Sequence, residues 1–462
     1  MAETLSPSNK KSLSDYFFVL LEDLWLVLMI LVVGAILLLW LGSRIQAFGV
    51  LSVALHYIFI TSPVWLAFML GLICWDLWLN YARLSTISEM KPVLLEISLP
   101  KDTTKTPLAM EIVFSSLHIP GAATFLEQYW SGKLRPWYSL ELVSLGGDVH
   151  FYIWTDSKQR NIVEAQVYAQ YPGVAIHQVD DYTEQVHWDP DKWIMWGTHF
   201  KLVEKDVYPI KTYIDYGLDK AGLEEEEKID PLTSMLEYLG SLKPGEQCWI
   251  QILIQAHKKE GLQEGRLFKK PDWKKEAKEE IEKIRAEATP DRPGSEFPGF
   301  PNPTKGQVEK ISALERSINK FPFETMIRGF YIARPDVFNG SNIPGLIGSV
   351  RQYSSPDLNG FKLGKFTDHG DTGKDLASIF GWVPPFGNYM KKRRNLMEQE
   401  MLDAYKKRSI FNPPYKHYRN KPFILNTEEL ATIFHLPGAV ATTPTLQKIE
   451  SKRAEPPVNL PL

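Results

Sequence analysis

From Leu24 to Gly42 the chain reads LWLVLMILVVGAILLLWLG, 19 residues without a charge. A helix rises 1.5 Å per residue, so a run of this length crosses a hydrocarbon core about 30 Å thick. It is longer than the roughly 7–15 apolar residues of a signal peptide, and no small-x-small cleavage pattern follows it. A second apolar segment, Ile60 to Leu79, carries Pro63 near its start, Asp76 near its end, and Trp65, Trp75 and Trp78 where interfaces are expected. Between the two, Arg44 to Phe59 includes Gln46, Ser52 and His56 and reads as a short interfacial or re-entrant helix. Asp76 is expected at the headgroup level rather than as a functional intramembrane acid.

Two crossings make a transmembrane helical hairpin with both chain ends on one side. Lys10 and Lys11 precede the first crossing, Arg83 and Lys91 follow the second, and only Arg44 lies between. The positive-inside rule then expects a multi-pass protein of the cytoplasmic (inner) membrane, with its folded body in the cytoplasm.

The rest has the composition of a soluble α+β protein. Across the whole chain 52 basic residues balance 55 acidic ones, so any charge-driven partner must meet a local patch. The cysteines, Cys74 and Cys248, both lie in apolar surroundings and make no disulfide framework.

Val93–Leu99 reads as a strand, and Thr106-Pro107 opens a helix with Met110, Val113, Phe114 and Leu117 at helical spacing. Tyr138–Ser144 and Val149–Trp154 alternate about Gly146-Gly147, a hairpin signature. A helix capped by Asp156 or Ser157 follows, with Ile162, Ala165 and Ala169 on one face, and Val174–Val179 is the next strand. The order β-α-β-β-α-β is that of the split βαβ, or ferredoxin-like, unit.

A second mixed α/β unit of similar design is expected beyond Asp181. Its strands are Met195–Lys201, Tyr208–Tyr213, Cys248–Gln255 and Phe323–Ala333, with a helix at Leu232–Leu239. A helical insertion spans about 260–321, and within it Thr289–Thr304 holds five prolines and reads as a linker. Asn388–Arg408 is a charged helix, Lys421–Asn426 a strand, and Thr427–Phe434 a short helix capped by Thr427. The expected divisions are 1–90 anchor, 91–185 ferredoxin-like domain, 186–385 second domain, and 386–462 basic helix with a C-terminal segment.

Catalytic signals are absent. The phosphate-loop candidate, Gly370–Asp375, puts Asp368 and Asp375 where a P-loop needs Gly and Ser or Thr, and an acid there repels phosphate. His177 and His187 stand near Asp180, Asp181, Glu184, Asp189 and Asp191, an arrangement more typical of solvated or capping acids than of a metal site. No catalytic residue, metal or cofactor is expected.

From Lys391 to Lys421 ten basic residues face three acids, a net of about +7, interleaved with Tyr405, Tyr415 and Tyr418. Lys391, Lys392, Arg393, Arg394, Lys406, Lys407 and Arg408 dominate this stretch. It suits DNA phosphates, anionic headgroups or an acidic partner, and equally a plain solvated helix face.

Several phrases occur together: LLEISLPKDTTKTPLAMEIVFSSLH (Leu94–His118), RPWYSLELVSLGGDVHFYIWT (Arg135–Thr155), VEAQVYAQYPGVAI (Val163–Ile176), VDDYT (Val179–Thr183), and FILNTEELATIFHLPG with TPTLQKIESKRAEPP (Phe423–Pro457). They resemble the membrane-bound, non-catalytic front portion of conjugation-type (type IV secretion) DNA-transfer ATPases of the HerA–FtsK class, as found in candidate-phyla bacteria. In fused relatives a Walker-loop strand follows shortly after the segment matching Glu428–Pro457; this sequence stops at Leu462, before that point. The resemblance therefore implies an anchoring and docking subunit, with a separately encoded P-loop ATPase as partner. It further implies membrane lipid as a partner, with DNA as another candidate, and a homo-oligomer that follows a hexameric motor. Leu430, Ile433, Phe434 and Leu436 are the candidate contacts for that motor, and equally candidates to close the domain's own core.

Overall fold

The computed structural model describes residues 49–100, 105–121, 123–219, 229–258, 273–289, 302–367, 387–418, 420–437 and 448–449. Two compact units result: one holds Met1–Glu89 with Ala123–Leu134, the other Met90–Ala122 with Arg135–Leu462.

In the first unit, helix α1 (Gly49–Glu89) runs 41 residues without interruption. From Gly49 onward it replaces the separate interfacial helix expected up to Phe59, because nothing there stops a helix. Pro63 lies inside α1 and removes the N–H that the Phe59 carbonyl would accept. The Ser62 hydroxyl donates to that carbonyl instead, at 2.6 Å, and Thr61 donates to Tyr57 O at 2.7 Å. One stretch of α1, Phe59–Glu89, is long and apolar enough to cross a membrane, and its most apolar window has no residue buried by protein. The run Leu24–Gly42 and Lys10, Lys11 and Arg44 lie outside the described residues.

The second unit is built on one large, mainly antiparallel sheet. Its strands are β1 (Pro92–Pro100), β2 (Trp137–Leu145), β3 (Asp148–Asp156), β4 (Ala175–Val179), β5 (Ile194–Leu202), β6 (Glu246–Ala256), β7 (Pro322–Ala333), β8 (Phe361–Phe366), β9 (Phe423–Asn426) and β10 (Lys448–Ile449). The spatial order is β4-β1-β3-β2-β6-β7-β5-β8, with β10 also on the edge of β1 and β9 on β7. Helices α2 (Pro107–Leu117) and α4 (Ser157–Gln170) connect the first four strands, and α5 (Pro231–Gly240) and α8 (Asn342–Arg351) the next four. Strands β5 to β8 thus repeat the connectivity and order of β1 to β4. The two halves meet where β2 pairs β6, antiparallel, with Glu141 opposite Gln251 at the centre of the register. Residues 91–185 and 186–385, divided in the sequence reading, therefore contribute to one sheet.

Strand periodicity explains the layers. Leu95, Leu140, Leu142, Phe151, Ile153, Ile250, Ile252, Ile254, Phe323 and Ile327 share one core with α2, α4, α5, α8 and α10 (Thr427–Ile433). The hairpin turns on Gly146 and Gly147, with φ of 68° and 103°, as a primed turn requires. Helices α6 (Trp273–Glu287) and α7 (Lys305–Ile318) form the insertion, and Trp273, Ala277, Ile281 and Ile284 of α6 are all buried.

Three local expectations change. The buried face of α4 is Val163 and Val167; Ile162, Ala165 and Ala169 are exposed, since small alanines are equally at home in water. Tyr208–Tyr213 is not a strand. Two of its N–H groups go to side chains of α10: Ile210 N donates to Glu429 at 2.9 Å and Tyr213 N to Thr432 at 2.9 Å. The cap of α10 is Asn426, not Thr427, through a reciprocal box in which Glu429 N donates to Asn426 at 3.0 Å and Asn426 N to Glu429 at 2.9 Å.

Burial pushes the Glu429 carboxyl up from 4.5 to about 8, against the pull of those N–H donors. Such a group keeps its proton in the folded state where the unfolded chain has released it. Its contribution is complete below the ordinary carboxylate range and is lost as pH rises through about 8. In detergent, the unfolding midpoint of the wild-type chain should fall from about pH 6 to about pH 9 more than that of Glu429→Gln. The substitution itself should cost about 1–2 kcal/mol for one lost acceptor. Equal falls in the two proteins would refute the assignment.

Candidate functional site

The sheet face opposite the shared core carries a polar row. Strand register aligns His177, Glu96, Tyr152, Glu141, Gln251, Arg328 and His199, one residue from each of seven adjacent strands. Glu141, Gln251 and Arg328 at its middle are 0% exposed. A polar group in so dry a place must find partners or cost several kcal/mol. Here the partners come from the end of helix α9 (Gly387–Lys406) and the turn after it.

The last turn of any helix leaves carbonyls without intrahelical donors. Gln251 donates to Tyr405 O at 3.2 Å, Arg328 to Ala404 O at 2.9 Å and Ser409 O at 2.5 Å, and the Trp137 indole to Arg408 O at 3.2 Å. A cation beneath a helix C-terminus also meets the negative end of its dipole. Burial pushes Arg328 down to about 9, which leaves it charged at neutral pH.

Arg408 closes the arrangement from above. Its guanidinium forks onto Glu141, Nε to Oε1 at 3.0 Å and Nη2 to Oε2 at 3.1 Å, and a further N–H donates to Asp181. Tyr182 adds a hydroxyl to Glu141 at 2.8 Å and Ser139 another at 2.6 Å. Burial alone would raise the Asp181 carboxyl; the charge and hydrogen bonds of Arg408, with those of Thr183, bring it below its ordinary value. Burial would likewise lower Arg408, and Glu141 and Asp181 reverse that. Two cations, Arg328 and Arg408, thus balance two anions, Glu141 and Asp181. Tyr405, Tyr182 and Trp249 enclose them, with ring centroids 5.2–5.4 Å apart.

The backbone shows how firmly Arg408 is required. Its φ is +47°, and Arg408 N and Ser409 N donate back to Tyr405 O at 2.9 Å and Ala404 O at 3.1 Å, the Schellman ending of a helix. That position usually holds glycine, and any other L-residue costs roughly 1–2 kcal/mol. The side chain's ion pairs offset the cost.

Of the sequence-selected basic residues, Arg408 is therefore internal, a correction to its place in a surface patch. Lys406 is half-buried and donates to Val186 O at 2.5 Å, while Lys407 pairs with Asp403 at 2.7 Å. Lys391, Lys392, Arg393 and Arg394 lie on α9, with side chains outside the described residues. Leu430, Ile433, Phe434 and Leu436 are all buried in the shared core, so of their two readings the structure shows the one in which they close the domain. The face they would offer a partner is already spent on α10 and its neighbours. Gly370–Asp375 lies outside the described residues. Among the described residues no group of three or more His, Cys, Asp or Glu is placed to hold a metal. Asp181 instead caps the turn Tyr182–Gln185, accepting from Thr183 N at 3.0 Å.

Sequence reasoning missed Glu141, Gln251, Arg328 and Asp181 as one site. A partial signal was there: Glu141, Gln251 and Arg328 each stand near the middle of a mostly apolar strand.

The chain belongs to the family described as a domain of unknown function (DUF8128), which it matches over residues 82–362. No curated protein matches the chain.

Removing Arg408 alone strands Glu141 as a buried charge. Arg408→Ala should cost about 3–5 kcal/mol, and a double replacement with Glu141→Leu should recover part of that. Denaturant midpoints in detergent test it; a loss below about 1 kcal/mol would mean the pair is solvated.

Proposed function

We propose that the protein is a membrane-anchored scaffold whose folded body positions a separately encoded P-loop ATPase in a type IV secretion-like DNA-transfer system. One observation carries the anchoring half of this reading: Phe59–Glu89 is a long apolar helix whose most apolar window no protein covers. The body supports the docking half, since its buried ions hold a helix end in place and offer no reacting group. We read residues 92–179 as a ferredoxin-like unit, from the order β4-β1-β3-β2, and the strands β5 to β8 as a second one. The run Leu24–Gly42 would complete a hairpin and leave the body in the cytoplasm, on the side favoured by Lys10, Lys11, Arg83 and Lys91. A hexameric motor would impose a matching homo-oligomer on its anchor.

With Leu430, Ile433, Phe434 and Leu436 committed to the core, a partner would meet polar surface. The segment that follows them, within Phe423–Pro457, is where a fused chain would continue into its motor. A second reading, DNA contact through the basic stretch, now rests mainly on Lys391–Arg394.

Two measurements decide between the readings. Purification in mild detergent should bring down a P-loop ATPase, and the purified chain alone should hydrolyse no ATP; the reverse of either result removes the scaffold reading. If DNA is the partner, replacing Lys391–Arg394 with glutamine should reduce the slope of log K against log salt by up to about 3.6. An unchanged slope removes the second reading.

A further inference from the structure

The first unit has a second element that the anchor alone does not explain. Helix α3 (Phe125–Tyr129) and the residues after it return to α1 at one level and fasten there. The Trp78 indole donates to Tyr129 O at 3.2 Å, and the Thr86 hydroxyl to Ser131 O at 3.1 Å. Trp75 stacks on Tyr129 with centroids 6.0 Å apart, and Trp78 lies 5.0 Å from Trp130. Gly132 makes the approach possible. Its φ is +66°, and a Cβ there would meet the Ala82 backbone at 2.4 Å. Thr124 and Glu127 close a reciprocal capping box at the start of α3.

Having been fastened so carefully, the segment leaves large apolar groups in the open. Leu126 is 70% and Trp130 65% exposed, beside Trp75, Trp78 and Tyr81 at 41%, 36% and 54%. An isolated exposed leucine needs no explanation, but five such side chains at one level of a helix do. Four of them are Trp or Tyr, the residues with an apolar body and a polar tip that settle where hydrocarbon meets headgroup. Depth agrees. From Phe59 to Trp78 is 20 residues, about 30 Å of helix, which is the thickness of a hydrocarbon core. The collar thus stands one bilayer thickness from the other end of the apolar stretch.

We propose that residues 123–134 form an interfacial foot that lies in the lipid headgroup layer, with Leu126 and Trp130 entering the bilayer surface beside Trp75 and Trp78. It would fix how deep α1 sits and resist its rotation, which a single smooth helix cannot do. This rests on the reading of α1 as a membrane helix. A protein partner is the other occupant such a patch admits, and lipid is favoured because the patch continues the apolar surface of α1.

The test uses the full chain in phosphatidylcholine vesicles with no other protein present. Cys74→Ser removes the exposed thiol, while Cys248 is buried and is left in place. An environment-sensitive dye is attached in turn through Leu126→Cys, Phe68→Cys and Glu89→Cys. The Leu126 dye should emit to the blue of the Glu89 dye, and lose more intensity to a nitroxide near the headgroup than to one near the acyl end. The Phe68 dye should show the opposite quenching preference. If the Leu126 dye matches the Glu89 dye while the Phe68 dye lies in the bilayer, the foot is refuted and the anchor stands. Should the Phe68 dye report water, the anchor reading falls and takes the foot with it.

Discussion

Arg408 and Glu141 are each buried as charges and each compensates the other, and the folded body places the pair over the strand pair that joins its two halves. Strands β2 and β6 are each the last strand of a four-stranded set. Left alone, each would present a row of unpaired N–H and C=O groups. Pairing them hides two edges at once, but antiparallel edges rich in Leu and Ile can slide. A slip of β2 by one residue would turn Glu141 into the apolar core and Leu140 and Leu142 out of it. Tyr182 and Arg408, the latter held by Asp181, punish that error, because they satisfy Glu141 only in the observed register. The ion cluster is thus better understood as a device for uniqueness than as a large net source of stability.

The same cluster decides where helix α9 points. Its final carbonyls are held by Gln251, Arg328 and Trp137, so its end is fastened to the sheet at several separate atoms. Lys391 lies 13 residues before Ala404, about 20 Å along the axis. A helix clamped at one end carries its far half as a rigid arm, and the direction of Lys391–Arg394 follows from the clamp.

Much of this was legible in the sequence where period and turn chemistry agree. The alternation through Leu140, Leu142, Phe151 and Ile153 about two glycines specifies a hairpin and its buried face. The α6 stripe, Trp273, Ala277, Ile281 and Ile284, was equally plain. Legibility failed where a residue's partner is remote. Glu141 alternates with leucines and so resembles an outward-facing acid; its partner Arg408 stands 267 positions away. Arg408 in turn follows Lys406 and Lys407, which are less buried than it is, so a run of basic residues hides the one that turns inward. Asn342–Arg351 went unassigned, although Pro at an early helical position, Pro344 here, is welcome. Tyr208–Tyr213 failed for the converse reason: it reads as a strand, but the N–H groups of Ile210 and Tyr213 are claimed by Glu429 and Thr432.

Those claims bear on how the body can bind anything. Helix α10 spends its apolar side on the core and its polar side on neighbouring backbone, with Glu428 joined to Arg316 at 3.0 Å and to Thr212 at 2.7 Å. An element so thoroughly engaged has no spare face, and prising it out would expose Leu430, Ile433 and Phe434 at about 1.5–3 kcal/mol each. Under the scaffold reading proposed above, a partner would meet surface around α10 and not α10 itself, and a shared membrane would add to such contacts by raising the local concentration of one protein around the other.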